Sequence, residues 1–443
     1  VAVYYVWSGA TGTGSGASWA NAFTTLTTAF ATEVAGDTLY VAHDHAETSA
    51  SAVTLTSSGT VANPTKVVCV DRAGSVPPVS ADRRTTAQVA TTGGTTAIAC
   101  NGFTHYDGII FLTGNTGASA GFTLPGTTNQ SLRFDNCSFR FSGASGSSTL
   151  NIGNIGTSTG TYVELNNTTL SFAATGQLVQ INGAFGWRNT ASALIGGVVP
   201  TTLLNPVAGR GAGIEIIGVD LSAAGSGKTL IGAGASTTFA AIKLLDCKLN
   251  ASVTKVSLPI NSHGSHEVDF IRSGASGVNY TVSRYRVPGA LDEEITIVRT
   301  GGASDGTTPI AWKIVTTANC NYSMPFECPP IAIWNDTIGS AVTATVEGVW
   351  SGGAVPNDDD IWLDIEYLGD ASSPQGSFVN DGKADLLATA AGQTPSSETW
   401  GGSNTKFKLA VTFTPQQKGW VYARIKCARV STTFYVDPLV KLT

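Results

Sequence analysis

The chain has 443 residues, of which 42% are apolar and only 13% charged, and its net charge is −6. No block of Lys or Arg could follow a phosphate backbone, and no run approaches the roughly 20 apolar residues of a membrane-spanning helix, so neither nucleic-acid binding nor such a helix is expected. High apolar content with a small net charge for the length also argues against intrinsic disorder.

The length implies two or three domains. The 51 glycines, with abundant Thr and Ser and a single Met, suit a chain of strands and turns. The segment Val1–Trp7 has neither a basic region nor a long apolar stretch, so no secretory signal is read there. The seven Cys (69, 100, 137, 247, 320, 328 and 427) are odd in number, widely spaced and without a CxxC. Buried, reduced cysteines acting as small apolar residues are the expectation.

In chain order, the first predicted element is a helix. Ser18 is a candidate N-cap, and Trp19, Phe23, Leu26, Phe30 and Val34 recur at helical spacing up to Gly36. Residues 37–41 then read as a strand. One amphipathic helix ahead of a long β region needs a partner for its apolar face, and the open end of a β-solenoid is such a partner.

An internal repeat follows. Four segments align: Leu132–Phe139, Val163–Leu170, Ile214–Leu221 and Ile242–Leu249. Their first and third positions are apolar (Leu132 and Phe134, Val163 and Leu165, Ile214 and Ile216, Ile242 and Leu244). The fifth is Asn136, Asn167, Gly218 or Asp246, residues that tolerate a left-handed backbone. The sixth is small or β-branched and the eighth is large. Two inward residues, a tight corner and two more inward residues describe a strand, a bend and the next strand. The starts are 31, 51 and 28 residues apart, so one degenerate coil is expected between residues 178 and 194. Phe103–Ile110 fits as an earlier coil. Coils of this size suit a right-handed parallel β-helix. The outward second position carries Arg133, Glu164, Glu215 and Lys243, and stacked opposite charges there would favour register and solubility.

The repeat fades after about Ser265. From about Arg284 longer alternating strands are predicted: 294–298, 310–314, 341–350, 361–367, 407–413, 420–426 and 433–436. These suggest an antiparallel β-sandwich, and six of the nine Trp lie there, which implies an aromatic core of its own. The expected fold class is all-β: an N-terminal segment with a capping helix (1–36), a right-handed parallel β-helix (37–270) and a β-sandwich (271–443).

Candidate chemistry is sparse. His43, Asp44, His45 and Glu47 form the densest set of metal-ligand types, but no second cluster matches them, and a polar turn is the simpler reading. His263, His266, Glu267 and Asp269 read as a boundary loop. Gly225–Thr229 echoes a phosphate loop, yet Ser222 stands where the earlier Gly is required and no helix follows. The acidic run 357–360 reads as a solvated turn rather than a calcium site. For polysaccharide cleavage the outward carboxylates are Asp107, Asp135, Glu164, Glu215 and Asp246. Glu164 and Glu215 share a column two coils apart, but basic residues share it too, and Trp187 is nearly the lone aromatic that could floor a sugar site. No catalytic, cofactor-binding or metal-binding residue is assigned.

The opening Trp19–Phe23, the helix and Gly36–Val41 resemble the capped start of viral and bacterial parallel β-helix proteins. The region from His263 to the end, with Ile331–Trp334, Asp359–Gly369 and Thr412–Lys418, resembles the C-terminal domain of tailed-bacteriophage structural proteins. The resemblance implies a non-enzymatic virion protein made in the host cytoplasm, first a capsid decoration protein and alternatively a tail spike or fibre that binds or cleaves host polysaccharide. Its implied partners are other virion proteins, further copies of itself in a trimer, and a host surface glycan. It implies no cofactor and supplies no catalytic residue.

Overall fold

The computed structural model describes residues 1–94, 96–114, 120–125, 129–143, 148–153, 161–207, 212–232, 240–258, 267–275, 281–286, 290–298, 311–317, 320, 325–350, 356, 360–367, 377–379, 385–387, 405–415 and 417–443. They form two compact units, one of residues 1–279 with 285–290 and the other of residues 280–284 with 291–443. The sequence places the boundary at 270. No helix among the described residues is long and apolar enough to cross a membrane.

The first unit is a parallel β-helix. One sheet stacks ten parallel strands, from Val3–Val6 and Thr38–Ala42 through Ser131–Asp135 and Tyr162–Asn166 to Glu267–Ile271. A second sheet runs from Ala46–Ser49 to Thr169–Ser171 and a third from Val53–Thr56 to Thr254–Ser257. The repeat positions stack as the alternation requires. Phe134 lies in register with Leu165, Leu165 with Trp187, Trp187 with Ile216, and Ile216 with Leu244, all of them fully buried. Aromatic rings stack between rungs, with Tyr106 and Phe134 centroids 4.9 Å apart and Phe111 and Phe139 5.2 Å apart. The degenerate coil is Ala184–Arg188, in which Phe185 and Trp187 point inward. One rung extends past the visible repeat, with Val268 and Phe270 buried.

The corners explain the fifth position. Asn136, Asn167, Asn189, Gly218, Asp246 and Arg272 all have positive φ, between 46° and 62°. The asparagines also link rungs: Asn167 Nδ2 donates to Asn136 Oδ1 at 2.8 Å, and Asn136 Nδ2 to Asp107 Oδ1 at 2.9 Å. The sixth position ties coils through buried hydroxyls. Thr168 Oγ1 donates to the Phe134 carbonyl at 2.8 Å, and Ser273 Oγ to the Leu244 carbonyl at 3.2 Å. Asn136→Val puts a β-branched residue in the left-handed region and breaks the ladder, so a loss on the order of 1–2 kcal/mol is expected. Asn136→Gly keeps the backbone free to adopt the corner and should lose less. Thermal unfolding of the two variants checks the order.

The N-terminal helix is much shorter than predicted, Leu26–Phe30, and its N-cap is Thr25 rather than Ser18. Phe23 belongs to the sheet instead: its N–H donates to the Tyr5 carbonyl at 2.9 Å, and its carbonyl accepts the Trp7 N–H at 2.8 Å. Those long-range bonds override the helical spacing, and β-branched Thr24, Thr25, Thr27 and Thr28 offer the helix little propensity. Ser18 caps only a local turn, accepting the Asn21 N–H at 3.3 Å, and Val34 is exposed. The capping role survives in one turn, because Leu26, Ala29 and Phe30 belong to the same buried core as Leu39, Leu55 and Val67.

The second unit is an antiparallel β-sandwich. Val342–Trp350 pairs with Thr405–Phe413, Thr433–Val436 and Lys441–Leu442, and Ala311–Thr316 pairs with Ala290–Val298 and with Thr433–Val436. In the other sheet Gly419–Cys427 lies between Ile361–Tyr367 on one side and Phe326–Glu327 with Ile331–Asn335 on the other. Inward residues of both sheets, including Val346, Leu409, Ile365 and Ile425, form one core. The expected aromatic core is only partly present. Trp350 and Trp362 are buried, but Trp334 and Trp420 are exposed, because strand alternation turns them away from Val421 and Ala423. Trp400 lies outside the described residues.

All seven cysteines are buried, and burial pushes the Cys100 thiol up to about 12.

Candidate functional site

Alternation aims every second residue of the ten-stranded sheet outward, and register stacks these residues into columns. The middle column runs Lys66, His105, Arg133, Glu164, Gly186, Glu215, Lys243 and Asp269. Long side chains fill it except at Gly186. In the adjacent column Tyr162 lies opposite Ala184, and Gly213 opposite Ala241. A concavity of about 300 Å³ opens here, whose wall is made by Tyr162, Arg188, Glu215 and Lys243 and whose floor includes Gly186, Gly213 and Ala241.

The polar groups around this cleft converge. Tyr162 Oη donates to Glu164 Oε2 at 3.2 Å. Arg188, one column over, reaches both acids: its Nε lies 3.9 Å from Glu164 Oε1, and its Nη2 donates to Glu215 Oε2. Burial raises the Tyr162 phenol above its ordinary value, and the Glu164 charge adds to that. Register puts Glu164 and Glu215 two rungs apart, with Gly186 between them. At the ladder spacing their backbones are about 9–10 Å apart. The Glu215 carboxylate, a guanidinium, a phenol and an ammonium thus line the opening, with Glu164 held against Tyr162 and Arg188, and together they offer hydrogen-bonding capacity in both directions.

A second concavity, about 230 Å³, lies earlier on the same face, lined by Val61, Phe103, His105 and Arg133 among others. Behind it Asp135 accepts hydrogen bonds from His105, from Asn166 Nδ2 at 2.9 Å and from Arg133 Nε at 3.1 Å. Burial opposes the Asp135 charge, but these donors outweigh it and hold the carboxyl at about 2. A folded value below the ordinary 3.8 means that the stabilisation is complete above about pH 4 and disappears as pH falls through about 2. The side chain is only 12% exposed. About 2 kcal/mol of acid-sensitive stability is therefore expected. Wild type should lose that much more than Asp135→Asn between pH 5 and pH 2, as read by urea unfolding.

The other predicted candidates do not converge. Asp107 is buried against Arg83 at 3.1 Å, and Asp246 is held at its corner by Arg272, whose hydrogen bond and charge lower its carboxyl. His43 faces Asp71 at 3.6 Å and Asp44 pairs with Arg72 at 2.9 Å. His45 is buried: Nδ1 accepts the Ser8 N–H at 2.9 Å, which places the ring proton on Nε2, 3.4 Å from Glu47. Glu47 in turn accepts the Leu26 N–H at 2.8 Å, so this pair fastens the helix to the solenoid. Among the described residues no group of His, Cys, Asp and Glu could hold a metal ion. Gly225–Thr229 is a turn leading into a strand, with Gly227 at φ 71°. His263, His266 and residues 357–359 lie outside the described residues, while Asp360 pairs with Arg429 at 3.2 Å. Trp187 forms no sugar platform: it is buried, with Nε1 donating to the Thr168 carbonyl at 3.0 Å.

Sequence reading missed Arg188 and the opening itself. The available signal was a Gly at the second repeat position of the degenerate coil, where its neighbours carry charges.

No family model matches the chain, and no curated protein matches its sequence. Among solved structures, it is similar to the enzymatically active domain of tailspike protein 4 of bacteriophage CBA120, with 9% identity and a TM-score of 0.20. That match covers 92% of this chain and 64% of the other, so this chain spans less than two thirds of that protein's length. It is also similar to the tailspike protein of Acinetobacter phage vB_ApiP_P1, with 11% identity, a TM-score of 0.24, and coverage of 92% of this chain and 82% of the other.

Proposed function

We propose that this chain is a tail-spike or tail-fibre component of a bacteriophage particle, and that the cleft around Gly186 holds a stretch of host-surface polysaccharide. The observation that carries the reading is that cleft. On a face otherwise covered by long side chains, Gly186, Gly213 and Ala241 open a floor beside Tyr162, Arg188, Glu215 and Lys243, and Glu164 meets Tyr162 and Arg188. A chain of hydroxyl groups needs donors and acceptors side by side, and this set supplies both. A ligand cleft has no task in a protein that only braces a shell, so capsid decoration is not taken forward. The reading carries with it assembly with other virion proteins and a three-fold oligomer.

A second reading is cleavage of the bound glycan. It is favoured by the convergence of Glu164 and Glu215 on Arg188, since two carboxylates at one sugar site are the acid–base pair that glycoside hydrolysis uses.

Gly213→Leu tests binding. A Cβ at Gly213 meets nothing within 4 Å, so the leucine should fill the cleft without strain. At least a tenfold loss of binding to capsular polysaccharide from the infected strain is expected, with unchanged melting. Equal binding by wild type and Gly213→Leu would remove the cleft from the reading. Release of reducing ends by wild type but not by Glu164→Gln or Glu215→Gln would establish cleavage. Immunogold label over the head of purified particles would overturn the tail location.

A further inference from the structure

The geometry points to a separate saccharide-binding platform on the sandwich unit, built from Trp334, Trp420 and Tyr422 and suited to uncharged sugar rings. It goes beyond the reading above and does not depend on it. Trp334 and Trp420 are directly opposed in register on adjacent antiparallel strands, and Tyr422 follows Trp420 on the same face. They are 51%, 52% and 43% exposed. At the other end of this sheet Trp362 and Asp364, paired in register with Lys426 and Arg424, are buried, so the exposed aromatics form a bounded patch.

The two indoles meet edge to face, with centroids 5.5 Å apart and planes at 81°. This makes a step: one ring offers its face while the edge of the other stands beside it. A pyranose presents a flat array of C–H groups, which the electron-rich face of an indole attracts, and hydroxyls around its rim. The hydroxyl partners are present. Trp334 Nε1 donates to Asp336 Oδ1 at 3.2 Å, and Asp336 lies 3.4 Å from Lys418 Nζ. That carboxylate and ammonium are both well exposed and cancel each other's charge. Farther along the sheet Arg424 is met by Glu366 at 3.5 Å and by Glu327 at 3.8 Å. The acids of this rim, Asp336, Glu327, Glu366 and Asp364, outnumber Lys418, Arg424 and Lys426 by one, which disfavours an acidic ligand and leaves a neutral sugar as the occupant.

Area argues against a protein partner. Three half-exposed rings offer roughly 350 Å², against the ~800 Å² per partner of a stable protein interface. One or two sugar rings need no more than this.

The test is affinity electrophoresis of the full chain in gels containing neutral polymers: a β-glucan, dextran, a mannan and a galactan. At least one should retard the wild type. Trp334→Ala and Trp420→Ala should each weaken that retention at least fivefold, Trp420→Tyr should restore most of it, and Gly213→Leu should leave it unchanged. No retardation by any of the four polymers overturns the proposal, as does retention indifferent to both Trp variants. Retention lost in Gly213→Leu but kept in the Trp variants assigns it to the cleft and also overturns it. Sedimentation showing self-association that Trp334→Ala abolishes would identify the patch as a contact between copies instead.

Discussion

Replacing Trp187 with alanine is expected to cost the β-helix about 3–5 kcal/mol, the usual range for emptying a large aromatic site in a core. Trp187 is fully buried, sits in register between Leu165 and Ile216, and packs beside Phe185 with ring centroids 6.3 Å apart. Its indole N–H also satisfies the Thr168 carbonyl, which would be left buried without that donor. A solenoid is stabilised by each rung's contact with its neighbours, so the damage falls on two interfaces at once. Trp187→Phe keeps most of the volume and should lose less than half as much. The chain has two units, so the measurement is calorimetry resolved into transitions, and the transition of the β-helix should move while that of the sandwich stays. If Trp187→Ala left both unchanged, the stacking of rungs described above would be wrong.

The second large effect is expected in the sandwich. Lys426→Met should destabilise that unit by about 3–5 kcal/mol, because removing one partner of a buried ion pair strands the other. Asp364 is 2% exposed, and Lys426 Nζ lies 2.8 Å from its Oδ2 and 2.9 Å from Glu327 Oε1. Burial disfavours the Lys426 charge, but the bonds and charges of Asp364 and Glu327 outweigh this and raise its pKa above the ordinary lysine value. Adding Asp364→Leu to Lys426→Met removes the stranded carboxylate, so the double variant should recover much of the loss. Urea unfolding of the two single variants and the double closes the cycle. Strictly additive losses would mean that the two groups do not interact.

The repeat was legible because it reflects local rules. Inward pairs such as Val163 and Leu165 follow from strand alternation. A corner such as Asn167 follows from the few residues that accept positive φ, here 46°. The helix was misread because periodicity records spacing, not partner. Trp19 and Phe23 fit a helical face, yet the hydrogen bonds of Phe23 go to Tyr5 and Trp7. The rung at Val268 and Phe270 lies within the predicted bounds of the β-helix but beyond its visible repeat, because Arg272 occupies its corner at φ 48°, a residue that gives no sequence signal for such a backbone.

By itself the sequence determined the class of architecture, the direction each core residue faces and the change from short coiled strands to long antiparallel ones. All of these follow from alternation and turn chemistry within a few residues. Only the tertiary structure decided which residues meet. Glu164, Arg188 and Glu215 span 52 positions along the chain yet converge because three coils lie in register. Trp334 and Trp420 become one platform because two strands 86 residues apart are paired. Register is a long-range property, fixed by the packing of whole rungs and sheets, and no local pattern records it.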